Sequence, residues 1–173
     1  GEACARRFIP AFLELGGKDP AIVLADADIA RAARAIAWGG FVNGGQSCMS
    51  IERVYVEDAV ADAFIDALCA QARALRLAHP TPRDGHIGPI ISAAQIEIVR
   101  EQLTDAVARG ARALTGGELV ELDGGTWCPP TVLVDVAPGM KVIDEETFAT
   151  IIPVMRVADE DEAVARANDS IYG

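Results

Sequence analysis

Three short stretches carry residue types that could do chemistry. In "NGGQSCMS" (Asn43–Ser50), Cys48 follows a glycine pair and an amide. Glycines let the backbone turn tightly and approach a ligand closely, which bares N–H donors. A thiol attacks carbon only as the thiolate, and burial raises its pKa, so a nucleophile needs electropositive surroundings that the flanking residues do not visibly supply. Local sequence therefore leaves two readings of Cys48 open, a nucleophile on a turn or a small packing residue. In "LELGGKDP", Glu14 sits between two leucines just ahead of Gly16 and Gly17. A carboxylate ending an apolar strand is partly desolvated, which moves its pKa toward the range of a general base; the alternative is a strand-end Glu in water. Gly16-Gly17-Lys18 lacks the remainder of a phosphate-loop pattern. The third stretch, "DEETFATIIPV", places Asp144, Glu145 and Glu146 before Thr147-Phe148 and an apolar run, and such an acidic run equally fits a solvated turn.

Other polar residues carry less. His79, Asp84 and His86 lie in a Pro/Gly-rich connection and read as solvated turn residues. Cys4, Cys48, Cys69 and Cys128 are scattered with no Cys-x-x-Cys pair, so neither a zinc site nor a disulfide framework is indicated. Fifteen basic against 26 acidic residues give a net charge of −11. That charge repels phosphate backbones and anionic lipid heads, so neither nucleic acid nor membrane is an expected partner. The opening stretch "GEACARRFIP" does not read as a secretory leader, no uninterrupted apolar span reaches about 18 residues, and the expected location is cytoplasmic.

The elements that must position these residues follow from periodicity. Short apolar runs alternate with segments of helical period, the pattern of an α/β fold: a twisted, mostly parallel sheet with helices on both faces. "AIVLAD" (21–26) reads as a buried strand, followed by a helix capped by Asp28 that runs toward Gly39 and Gly40. "ERVYVE" is a second strand, and Ala61, Phe64, Ile65, Leu68, Ala72 and Leu75 form the apolar stripe of the helix after it, flanked by Cys69 as a packing residue. Beyond the connection at 79–89, a helix turns Ile96, Val99, Leu103 and Val107 inward and ends at Gly110. "RALTGGELV" and "PPTVLVDV" read as strands around the turn-rich "ELDGGTWCPP", which holds a structural Cys128. A strand over "IIPVMRVA" and a helix over "DEDEAVARAND" complete the order.

Taken together, "LELGGKDPAIVLADADI", "FVNGGQSC", "GPIIS", "PPTVL", "EETF" and "ANDSIYG" resemble, in order, the motifs of the NAD(P)-dependent aldehyde dehydrogenase superfamily. The 34-residue separation of Glu14 from Cys48 agrees with that pattern. The resemblance implies that Cys48 attacks an aldehyde to form a thiohemiacetal, whose oxyanion the Cys48 N–H helps to hold. Hydride transfer to NAD or NADP then leaves a thioester, which water activated by Glu14 hydrolyses to a carboxylic acid. A Glu at this position resembles the hydrolytic branch rather than the branch that transfers the acyl group to coenzyme A. Glu146 and Phe148 match positions that contact the nicotinamide ribose, and Leu15 and Gly16 match the segment lining the nicotinamide pocket. Asn43 and Gln46 are expected to shape the turn. Where the family pattern continues with Gly-Pro, this chain has Ala149-Thr150.

Members of that superfamily are longer and usually oligomeric. Residues 1–16 are accordingly expected to be the tail of a coenzyme-binding domain, and residues 17–173 a catalytic domain truncated at its C-terminus and belonging to a homo-oligomeric parent. The 173 residues alone are expected to lack dehydrogenase activity. Two other functions stay open: an esterase using Cys48 and Glu14 without cofactor, and a non-enzymatic assembly module with an exposed apolar docking face.

Overall fold

The computed structural model describes residues 1–172. A short helix, α1 (Glu2–Arg6), and an irregular stretch precede strand β1 (Asp19–Val23), helix α2 (Ile29–Phe41) and a 3-10 turn at Val42–Gly45. Strand β2 (Ile51–Glu57), α3 (Asp58–Ala74) and α4 (Ala93–Ala108) come next, then four short strands, β3 (Arg112–Thr115), β4 (Val120–Leu122), β5 (Gly125–Trp127) and β6 (Thr131–Val134). The chain closes with α5 (Lys141–Asp144), β7 (Ile151–Val157) and α6 (Glu160–Asn168). The main sheet runs β1-β2-β7-β6-β3. Its first four strands are mutually parallel, and β3 pairs antiparallel with β6. This is the expected α/β architecture.

Alternation along the strands sorts the core into two layers. Val54, Val56, Val132, Val134, Ile152 and Val154 face α2 and α3, whereas Tyr55, Leu133, Ile151, Met155 and Val157 face α4, α5 and α6. Strands covered on both faces have no polar side to show, so they appear in the sequence as nearly continuous apolar runs. Asp28 caps α2 by accepting from the Arg31 N–H. The α3 stripe is buried as expected, with Cys69 included.

Several expectations are corrected. Pairing in β1 ends at Val23 because the chain turns at Leu24, whose carbonyl accepts from the Ala27 N–H. In α4 the inner positions are Val99, Gln102, Leu103 and Ala106, while Val107 is exposed. A buried glutamine is tolerated because both ends of its amide are bonded. "RALTGGELV" is not one strand: Gly116 and Gly117 take positive φ, which breaks the extended chain after Thr115. The turn-rich stretch instead forms a hairpin in which Asp123 and Gly124, both at positive φ, join β4 to β5 as a primed two-residue turn suits the strand twist. His79 is not a free turn residue either, since its Nε2 lies 3.0 Å from Asp123 Oδ2 and its ring meets Trp127 edge-on. Among the described residues no helix is long and apolar enough to cross a membrane.

Candidate active site

Each chemistry-bearing stretch immediately precedes a strand: residues 16–18 lead into β1, 48–50 into β2, and 146–150 into β7. Those three strands are parallel neighbours, so their leading segments lie side by side at one edge of the sheet. The site therefore forms at the amino ends of the strands. Open α/β sheets more often bind ligands at the carboxyl ends, where a hollow of about 550 Å³ does open among Val134, Pro138, Val154 and Arg156, away from Cys48.

Cys48 is exposed on a turn closed by the Ser50 N–H donating to the Ser47 carbonyl at 3.0 Å. Cys69 and Cys128 are buried, and burial pushes the Cys69 thiol up and the Cys128 thiol up to about 11. Among the described residues the Cys48 N–H meets no acceptor, which leaves a backbone donor beside the sulfur. The turn is held from behind. Asn43, at φ 54°, donates from Nδ2 to the Gln46 carbonyl at 2.9 Å. Gln46 donates to the Pro89 carbonyl at 3.1 Å and accepts from the Ile91 N–H at 3.0 Å. Both residues thus shape the turn, and Gln46 fastens it to the "GPIIS" segment. Gly45 is required by contact as well as conformation, since a Cβ there would lie 2.2 Å from the Ala149 carbonyl oxygen. Ala149 and Thr150, which replace the expected Gly-Pro, are buried behind the cysteine turn.

Gly17 joins the other two segments. Its N–H donates to Glu146 Oε1 at 3.0 Å, and a Cβ on it would lie 2.4 Å from the Cys48 carbonyl oxygen. Gly16 faces the Glu146 carboxylate in the same way, where a Cβ would stand 2.8 Å from Oε2. Partial burial pushes the Glu146 carboxyl above its ordinary range; the Gly17 N–H opposes this, and nearby Glu52 adds to it. Gly16, Glu146 and Cys48 are therefore brought together. Phe148, at φ 52°, and exposed Leu15 border the same surface.

Glu14 departs from expectation. It lies on an irregular segment rather than a strand and is exposed, so the desolvation foreseen for it is not provided by the described residues. It lies three positions before Gly17, which limits its reach from the Cys48 turn to about 11 Å of extended chain.

Sequence reasoning missed the polar core beneath the site. Lys18 and Glu52 are buried and paired, Nζ to Oε2, at 2.9 Å. Lys18 also donates to Thr147 Oγ1 at 2.8 Å, and Thr147 donates to Gln102 Oε1 at 2.8 Å. Burial lowers the Lys18 pKa, with Glu52 acting against that shift. Arg53 ties in the Lys18 carbonyl at 2.8 Å. The available signal was a pair of charged residues opening the otherwise apolar β2 run, which a solvated strand start explains equally well.

The surface suits a nicotinamide dinucleotide. Glu146 Oε1 is taken by Gly17, while among the described residues Oε2 has no donor and so can accept from a ribose hydroxyl. Gly16, without a side chain, leaves room for that carboxylate to lie against bare backbone.

Comparison with known proteins agrees with this geometry. The model of the aldehyde dehydrogenase family matches residues 1–173. A 4,4'-diapolycopene aldehyde oxidase from Methylomonas is 46% identical over 172 residues, covering 99% of this chain and 31% of that protein. The crystal structure of lactaldehyde dehydrogenase from Escherichia coli superposes with a TM-score of 0.91 at 41% identity, covering 99% of this chain and 36% of that one. An NAD-dependent aldehyde dehydrogenase from Sinorhizobium meliloti gives a TM-score of 0.91 at 38% identity, with 99% and 34% covered. The chain spans about a third of the length of the relatives it matches. A family match over all 173 residues, on a fold whose parallel strands gather the cysteine turn, the Gly-Gly segment and Glu146 at one edge, means that this chain belongs to the aldehyde dehydrogenase family.

Proposed function

We propose that these residues serve the oxidation of an aldehyde to a carboxylic acid, with Cys48 as nucleophile. The observation that carries this reading is the exposed Cys48 on a turn pinned by Gln46 and backed by Gly17, with its own N–H free among the described residues. The thiolate adds to the carbonyl carbon, and the oxyanion so formed accepts from that N–H, where a fixed dipole stabilises developing charge. A bound nicotinamide dinucleotide, NAD or NADP, supplies the hydride acceptor. Glu146 and Phe148 would hold its ribose, and Leu15 and Gly16 would line the adjoining surface. Loss of hydride leaves an acyl group on Cys48 as a thioester. Glu14 removes a proton from water, the hydroxide oxygen bonds to the acyl carbon, and the Cys48 thiolate departs.

Residues 1–16 fit the tail of a coenzyme-binding domain. All of them are exposed except half-buried Cys4, and Gly17 is the first buried residue of the catalytic unit. Exposed Phe8, Phe12, Leu13 and Leu15 supply an apolar surface for such a domain to cover. A homo-oligomeric, cytoplasmic enzyme acting on a small aldehyde completes the proposal.

The test uses the complete gene product. Cys48→Ala abolishes aldehyde-dependent reduction of the dinucleotide. Glu14→Gln leaves a burst of reduced dinucleotide but slows steady turnover by about 10²-fold or more, the usual contribution of a positioned base. Turnover surviving Cys48→Ala, or Glu14→Gln slowing burst and steady state alike, refutes the assigned roles.

A further inference from the structure

The buried carboxylate of Glu52 is used by no step above, yet it bonds to two of the three segments of the site and stands four residues past the nucleophile of the third. Oε1 accepts from the Phe148 N–H at 2.8 Å, and Oε2 accepts from the Thr147 N–H at 2.7 Å and from Lys18 Nζ at 2.9 Å. Two successive amide N–H groups converging on one anion form a backbone nest. Here the anion is the chain's own side chain, placed four residues past Cys48. Phe148 adopts φ 52°, a left-handed backbone that a bulky aromatic residue rarely takes unless its surroundings enforce it. The Phe148 N–H bonded to Glu52 is the enforcing contact. Gln102, fully buried, holds the same hook from the opposite side by donating to the Glu146 carbonyl at 3.0 Å. Thr147 is drawn inward to Lys18 and Gln102, while its neighbours Glu146 and Phe148 stay partly accessible on the surface of the site.

We propose that Glu52, neutralised by Lys18, is a positioning residue that fixes the Glu146–Phe148 hook and thereby presents the Glu146 carboxylate and the Phe148 ring to the nicotinamide ribose. The inference rests on the dinucleotide reading above. It assigns Glu52 to cofactor placement rather than to the chemistry at Cys48. An amide at position 52 offers one acceptor oxygen and turns an NH2 toward one of the two backbone donors, so the hook loosens while the side chain keeps its size. A carboxylate shortened by one methylene keeps the charge beside Lys18 and loses reach to the backbone.

The experiment compares Glu52→Gln, Glu52→Asp and Glu146→Ala in the complete gene product. It uses calorimetric titration with NAD and with NADP, together with cofactor-free hydrolysis of p-nitrophenyl acetate, which reads Cys48 and Glu14 without the dinucleotide. Both Glu52 variants are expected to weaken binding of the preferred dinucleotide by about tenfold, as for one misplaced hydrogen bond to a charged group. Ester hydrolysis stays within about twofold, a separation that simple loss of folding does not produce. Glu146→Ala is expected to show the same weakening, and adding Glu52→Gln to it to weaken binding little further, because the two act through one contact. If Glu146→Ala weakens binding and the Glu52 variants do not, the positioning role is overturned. Equal loss of ester hydrolysis and binding in both Glu52 variants overturns it as well, by making Glu52 purely structural. Unchanged binding in Glu146→Ala instead refutes the ribose assignment on which the inference stands.

Discussion

Replacing Gly17 with alanine tests the packing of the site by a single methyl group. The added Cβ would stand 2.4 Å from the Cys48 carbonyl oxygen, about 1 Å inside ordinary van der Waals contact. Backbone atoms lie on both sides, so no flexible side chain can yield. Relief requires the cysteine turn to part from the Gly16–Lys18 segment by about that 1 Å, which also stretches the 3.0 Å bond from the Gly17 N–H to Glu146. Gly17 is not among the glycines at positive φ, so alanine introduces contact without conformational strain. A misplacement of about 1 Å at a reacting group lowers rate by about 10²-fold, equivalent to about 2.7 kcal/mol of transition-state stabilisation. The expected result is a kcat/KM for aldehyde oxidation reduced about 10²-fold in Gly17→Ala. Gly88→Ala serves as control, since among the described residues a Cβ there meets nothing within 4 Å, and it is expected to leave kcat/KM unchanged. Steady-state kinetics of the complete gene product, with folding checked by near-UV circular dichroism, provides the measurement. A folded Gly17→Ala variant within threefold of the unsubstituted protein would refute the claim that this contact sets the position of Cys48.

Lys18→Met removes one partner of a fully buried ion pair and leaves the Glu52 carboxylate uncompensated; the expected loss is about 3 kcal/mol or more, read as a lower urea midpoint. Glu146 governs a pH dependence whose sign follows from its raised pKa, caused chiefly by burial. The folded state holds the proton more tightly than the unfolded chain, whose carboxyl titrates near 4.5, so this group's stabilising contribution is complete below that pH and is lost as pH rises past it. The stability of the unsubstituted protein relative to Glu146→Gln is therefore expected to fall between about pH 4 and pH 7, measured by denaturant midpoints at both ends; a difference independent of pH would refute the burial argument.

The legibility of this protein in its sequence depended on how local each determinant is. Helical stripes such as Ala61–Phe64–Ile65–Leu68 and the apolar run of β7 were readable because a periodic pattern is written within one element. The Cys48 turn was readable for a similar reason, since Gly44 and Gly45 at positive φ mark a turn that only a few adjacent residues build. Even the convergence of the site has a local trace: each motif stands just before an apolar strand. Strand order is not local, and the adjacency of β1, β2 and β7 turned three separate motifs into one surface. Long-range pairing also decided what single-element patterns got wrong or left blank. Val107 satisfies the helical period as well as Ala106 does, yet Ala106 is the buried one of the two and Val107 lies in solvent. Glu52 and Lys18 resemble ordinary solvated charges until the fold brings residues 34 positions apart to 2.9 Å inside a core that cannot hold either charge alone.

The sequence by itself thus determined the elements, the nucleophile's turn and the family motifs, because side-chain period and glycine conformation act over a few residues. Only the tertiary structure decided that Gly17 spaces Cys48 from Glu146, that Glu14 lies exposed on irregular chain, and that a buried carboxylate holds Phe148 in a left-handed conformation. Those facts depend on close contacts between segments whose separation along the chain carries no record of their distance in space.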